Sequence, residues 1–175
     1  MGPSLSLERV ENLRWLGRYV ERSFTTLRFI LNTYDEALDR TDGNWKGRLE
    51  ELGFDQDNDD PRRFFHDALF SPDLPISIYC SMSNALDDAV VLRDVIGSES
   101  VAYVQMGLDK VVNAAHSETP LLDLQDLVDD ILAFKGSCDD YILNDAARNI
   151  IKCGISVERM DLYTRLGYRL TDLRD

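Results

Sequence analysis

Positive charge is what this sequence has least of. Nineteen Lys and Arg stand against 32 Asp and Glu, giving a net charge of −13 and a pI near 4.5. Nucleic acid and anionic lipid both want a basic surface, so neither is expected as a partner. A basic protein face would suit this acidity better. Long apolar runs are missing too: the longest are a few residues, far short of the roughly 20 that span a bilayer. Met1 to Val10 lacks both a basic start and an apolar core, so no signal peptide is expected. Met1-Gly2 with Ser6 fits only the bare outline of a myristoylation signal, which chance supplies easily. The three cysteines (Cys80, Cys138, Cys153) are an odd, scattered set. They imply no disulfide framework, and each reads as small apolar filler in a cytoplasmic protein.

The usual chemical motifs are also absent. There is no P-loop, dinucleotide-binding glycine turn or nucleophile elbow. The two histidines, His66 and His116, have no Cys or carboxylate partner at ligand spacing. The Glu-x-x-His pairs of a di-iron bundle are lacking. Asp55, Asp57 and Asp59 imitate the start of a calcium loop, but Asp60 stands where Gly is needed and His66 where the bidentate Glu should be. The stretch reads as a solvated loop, and no metal or cofactor is expected.

What the chain does have is helical periodicity. From about Leu7 to Arg40, Leu13, Leu16, Val20, Phe24, Leu27, Leu31, Tyr34 and Leu38 recur at three- and four-residue steps. Trp15, Tyr19, Phe29 and Ile30 lie off that stripe, as in a helix central to a bundle. Asp60-Pro61 reads as a cap and first turn, and Pro75 as the start of the next long segment. Ser98 opens a helix to about Asn113, Thr119-Pro120 opens another, and the last runs from roughly Asn144 to Thr171. Gly43, Gly53, Ser71-Pro72 and Gly97 are the expected breaks. The reading is an all-α, single-domain bundle of about five to six helices spanning residues 1–175.

One pattern occurs twice. "GRYVERSFTTLR" (Gly17 to Arg28) and "GISVERMDLYTR" (Gly154 to Arg165) share Gly-x-x-Val-Glu-Arg and a later Arg, with Asn12 and Asn149 in register upstream. On an ideal helix Gly17, Glu21 and Arg28 fall within about 40° of one another, as do Gly154, Glu158 and Arg165. A glycine lets another helix approach closely. Two copies therefore suggest N- and C-terminal motif helices packed near a pseudo-two-fold axis. Spacing alone pairs Glu21 with Arg165 and Glu158 with Arg28, and points Arg22 and Arg159 away from the stripe. The network candidates are Glu21, Arg22, Arg28, Arg93, Glu158, Arg159 and Arg165.

The string "ENLRWLGRYVERSFTTLRFIL" resembles the opening of the alpha-E family, bacterial helical proteins marked by a repeated Glu-Arg motif. Glu11, Asn12, Leu13, Trp15 to Arg22, Thr26 and Arg28 all stand where that family's opening has them. Gly154, Glu158, Arg159, Asp161 and Arg165 fit its closing helix, and Leu74 to Ile78 its Asn-Pro-x-Ser-Ile turn with the Asn replaced. "ALDDAVVLRD" is similar to its middle helix, keeping Asp87, Ala89, Arg93 and Asp94 but with Leu86 and Val90 in place of arginines. Val101 stands where the family has Trp. This chain is thus expected to be a short, diverged member.

The resemblance implies company with circularly permuted ATP-grasp ligases. It therefore implies a non-catalytic helical accessory subunit that binds such a ligase or its peptide substrate, with the Glu-Arg stripes as internal ion pairs. The alternative is a carboxylate- or phosphate-binding or enzymatic pocket lined by Glu21, Arg28, Arg93, Glu158 and Arg165. A homo-oligomer is left open.

Overall fold

The computed structural model describes residues 5–39, 45–54 and 60–167, with the backbone alone for 35–39. The myristoylation-like start at Met1-Gly2, Gly43, the calcium-like Asp55 to Asp59 and the expected helix end at Thr171 lie outside the described residues.

The long apolar periodicity of the N-terminal segment forms α1 (Leu7–Asp39). Seven further helical segments follow: α2 (Trp45–Glu51), α3 (Pro61–Phe70), α4 (Ile78–Val91), α5 (Arg93–Ala114), α6 (Pro120–Asp123), α7 (Gln125–Asp140) and α8 (Asp145–Arg165). Among the described residues there is no strand, so the domain is all-α. Its segments outnumber the five to six expected because short pieces bury residues that periodicity misses. α2 is only seven residues long but buries Leu49 completely. It closes on Gly53, whose positive φ of 96° lets its N–H return to the Glu50 carbonyl at 2.8 Å.

Side-chain capping sets the starts of α3, α4 and α8. The Asp60 carboxylate accepts the Arg62 N–H at 3.1 Å, with Pro61 in the first turn, as its sequence indicates. α4 does not begin at Pro75. It begins at Ile78, because Ser77 Oγ accepts the Cys80 N–H at 3.0 Å and donates to the Ser71 carbonyl at 2.7 Å. At Gly97 the backbone is non-helical (φ 83°, ψ 156°), so α5 consists of two helical pieces that meet in a kink there, at the expected break before Ser98. Pro120 opens only the one-turn α6, and α7 starts afresh at Gln125. Asn144 caps α8 through the Ala147 N–H at 3.2 Å.

α1 is the central helix, packing against α2, α3, α4, α7 and α8. Leu13, Leu16, Val20, Leu27 and Ile30 are sealed in the core, together with Phe64, Phe65, Met82, Phe134 and Ile151. Burial of a side chain of this size stabilises by about 1.5–3 kcal/mol. The cysteines divide: Cys138 is buried, Cys80 half-buried and Cys153 exposed, so apolar filling describes Cys138 best. Burial pushes the Cys138 thiol up to about 12.

The contact between α1 and α8 is of a different kind. A Cβ on Gly17 would collide with the Ile151 carbonyl and lie 3.1 Å from the Ile155 nitrogen. A Cβ on Gly154 would collide with the Arg14 carbonyl and lie 3.3 Å from the Arg18 nitrogen. Each glycine thus sits on the other helix's backbone, and the two contacts are related by an internal two-fold. Residue numbers rise together along the pair, since Gly17 meets Ile151 and Ile155 while Arg22 meets Glu158. The two helices therefore run parallel.

Gly17→Ala should cost about 3 kcal/mol, at the upper end for overpacking, because backbone rather than a movable side chain is in the way. Gly136→Ala, where a Cβ meets nothing within 4 Å, should instead gain about 0.5–1 kcal/mol on the exposed face of α7. Denaturant unfolding of both variants checks this; a tolerated Gly17→Ala would mean that the helices have room to part.

Candidate functional site

Just beyond the glycine contact, each motif glutamate turns inward. Glu21 and Glu158 have side chains 0% and 1% exposed. Buried carboxylates are retained only with partners, and here the partners come from across the interface. Glu158 accepts Arg18 Nε on Oε2 and Arg22 Nε on Oε1, both at 2.6 Å. Glu21 accepts Arg159 Nε on Oε1 at 2.7 Å and Arg159 Nη2 on Oε2 at 3.2 Å. Lys135 Nζ from α7 donates to Glu21 Oε2 at 2.6 Å, and Thr25 Oγ1 to Oε1 at 3.3 Å.

The Glu-Arg dipeptide is therefore itself the clasp. The Arg of each copy reaches the Glu of the other, so Arg22 and Arg159 do not point away from the contact. The ideal-helix projection places the residue after Glu about 100° round from it. With the helix axes drawn together by glycines, that flank faces the neighbouring helix, and a long guanidinium side chain spans the gap. The expected pairs Glu21–Arg165 and Glu158–Arg28 do not form. Arg165 instead bonds Asp161 of its own helix at 3.0 Å. Arg28 lies exposed over the Phe24 ring, 5.5 Å from its centroid. Arg93 donates to Ser98 at 3.2 Å beside the Gly97 kink. Glu21, Arg28, Arg93, Glu158 and Arg165 therefore do not converge on one cleft.

The two-fold is imperfect in an informative way. Arg18 has Ile155 as its counterpart, so the second copy lacks one cation. Lys135 supplies it, and so each carboxylate still receives two cationic side chains. Arg18 and Lys135 were missing from the candidates read in the sequence. Arg18 lay within the motif string, and the Arg18–Ile155 mismatch was the one hint that a further cation was needed. Aromatic faces carry these cations: Arg18 rests 4.6 Å from the Trp15 centroid, and Lys135 3.8 Å from that of Phe24. Burial lowers the Lys135 ammonium from its ordinary value against the pull of Glu21, while the hydrogen bond to Glu21 raises Arg159. The ammonium is nonetheless salt-bridged at 2.6 Å, so we read Lys135 as the charged partner.

Near Tyr19 of α1, Asp88 of α4 has its Oδ2 buried without a hydrogen-bond partner. Burial, with the neighbouring Asp87 charge, raises its carboxyl to about 6. The Tyr19 phenol is raised as well, by burial first and then by Asp88. Among the described residues no group of three or more His, Cys, Asp or Glu could hold a metal. No helix among them is long and apolar enough to cross a membrane.

Two outcomes follow for the charges. Glu158→Gln should destabilise by about 3–5 kcal/mol, since it removes two charge-assisted bonds from a sealed site. Arg165→Met, whose ion pair with Asp161 is half-exposed, should stay within about 0.5 kcal/mol of the parent. Urea unfolding of the two variants decides, and equal losses would return Arg165 to the clasp. For Asp88 the folded chain keeps a proton that the unfolded chain releases between pH 3.8 and about 6. Stability contributed by this group therefore falls as pH rises through that window. Asp88→Asn should be more stable than the parent by about 1 kcal/mol at pH 7, allowing for solvent screening, and equal to it near pH 4. A difference that does not change with pH would remove Asp88 as its source.

The model of the Alpha-E family, described as a predicted alpha-helical domain with a conserved ER motif, matches residues 8–172. No curated protein and no solved structure matches the chain. The family match spans both copies of the clasp and nearly the whole sequence, and the chain belongs to the Alpha-E family.

Proposed function

We propose that this chain is a non-catalytic helical accessory subunit. Its Glu-Arg clasp fixes the fold, and its acidic outer surface engages a protein partner. The observation that carries this reading is the saturation of the motif: both glutamates are sealed and each is held by two cations. Both oxygens of each carboxylate are already bonded and neither group is open to solvent, so the motif offers no free carboxylate to a substrate. The motif then serves to lock α1 against α8, and recognition falls to the faces these helices leave outside. With a net charge of −13, those faces favour a basic docking surface. The partner class we assign is an ATP-grasp-type peptide or amide ligase, or its peptide substrate, and the setting is the cytoplasm.

The test is to purify this chain and an ATP-grasp-type ligase from the same organism, mix them, and measure the mass of the eluting species by light scattering. A stable complex that weakens as salt is raised is the expected result. Separate elution at low salt, together with no retention of the ligase's peptide substrate, would end the accessory-subunit reading.

A further inference from the structure

The internal two-fold that builds the clasp also builds two clefts, one on each side of the α1–α8 pair, and they have been treated differently. One lies among Asp161, Arg165 and Thr26 and measures about 110 Å³. Both of its guanidinium groups are neutralised, Arg22 by Glu158 and Arg165 by Asp161 one turn back, and Leu52, Phe54 and Ile76 close it over. The counterpart cleft lies among Phe24, Arg28 and Tyr163 and measures about 230 Å³. Here the residue equivalent to Asp161 is Phe24, so Arg28 meets an aromatic ring where Arg165 meets a carboxylate. No carboxylate pairs with Arg28 among the described residues.

The charge beside this second cleft is also one-sided. Arg28 and Arg159 both lie near enough to Lys135 to act on its ammonium, and Glu21 is the carboxylate that Lys135 and Arg159 share. Three cations against one sealed anion leave a local excess of two positive charges on a protein that is strongly acidic elsewhere. Thr25 and Asn32 add polar groups to the cleft, while Phe24, Phe29 and Leu166 give it an apolar wall. A larger hollow beside α3, about 390 Å³, lacks this imbalance because Arg62 and Glu118 both line it.

We propose that the cleft beside Arg28 binds a small organic carboxylate, its anionic end forked on the Arg28 guanidinium and its apolar end against Phe24 and Phe29. A guanidinium matches a carboxylate through two parallel hydrogen bonds. A cleft of this volume admits a molecule the size of one amino acid or a short peptide end. The assignment stands apart from the accessory-subunit reading and does not require a partner protein.

The probe is phenylacetate, titrated into the full chain and followed by NMR, with inorganic phosphate titrated separately at matched ionic strength. Saturable shifts along the Phe24–Asn32 stretch of α1 and at Tyr163 are expected with phenylacetate. Arg28→Met should weaken them at least about tenfold, and Arg28→Lys, which keeps the charge without the fork, should weaken them less. Arg165→Met should leave them unchanged. Arg28 is exposed and outside the clasp, so its variants should keep the parent's helical circular dichroism. No saturable shift, equal binding by Arg28→Met, or equal loss in Arg165→Met would overturn the proposal. Saturation by phosphate at the same residues without any by phenylacetate would overturn the carboxylate assignment as well.

Discussion

The polar centre of this molecule depends on how near α1 and α8 come where Gly17 and Gly154 rest on each other's backbone. Ordinary helix pairs keep their axes about 8–10 Å apart because side chains stand between them. Removing two side chains at equivalent points brings the next turns within reach of long polar groups. Only then can Arg22 and Arg159 cross to Glu158 and Glu21. The glycines and the Glu-Arg dipeptides are thus one device. A Cβ at either glycine would push apart the helices that the ion pairs must span.

Burying two carboxylates carries a desolvation cost that ion pairing often only offsets. The arrangement here limits it by leaving the cations partly in solvent, with Arg18 and Arg22 about one-fifth exposed, while the carboxylates are sealed. Guanidinium groups are weakly hydrated and tolerate this position, and aromatic faces beside them replace part of the lost water. Specificity is the larger return. A parallel contact with two backbone-on-backbone points and three crossing guanidinium groups admits one register, since a slip of one residue would strand those charges.

Much of the fold was legible because its signals are local. The Leu13–Leu16–Val20–Leu27 spacing, the Asp60-Pro61 cap and the repeat near each end can each be read within one or two turns. What failed was anything that depended on the distance between helices. Face angles on an ideal helix put Arg28 and Arg165 on the stripe and Arg22 and Arg159 off it. The approach at the glycines reversed both assignments. Lys135 belongs to α7, and no local pattern marks it. Its need could be inferred only by noticing that Arg18 has Ile155 as its counterpart. The start of α4 was misplaced for a related reason. Ser77 is anchored to the Ser71 carbonyl, a tertiary bond that outweighed the local preference of Pro75.

The departures from two-fold symmetry are where this chain differs from a purely structural clasp. If stability alone governed the pair, both copies would serve equally well with the same residues. Instead Ile155 replaces a cation at one point, so that α7 is drawn in through Lys135, and Phe24 stands where the other copy has Asp161. The first change ties a third helix to the clasp. The second leaves one side of the pair cationic and open while the other is neutralised and filled. Both changes fall on the Lys135 side, where Lys135 itself packs against the Phe24 ring. One substitution thus recruits the cation and the other positions it beside Arg28. A duplicated motif, shared as a scaffold, can in this way give its two faces different chemistry without disturbing the contact that holds them together.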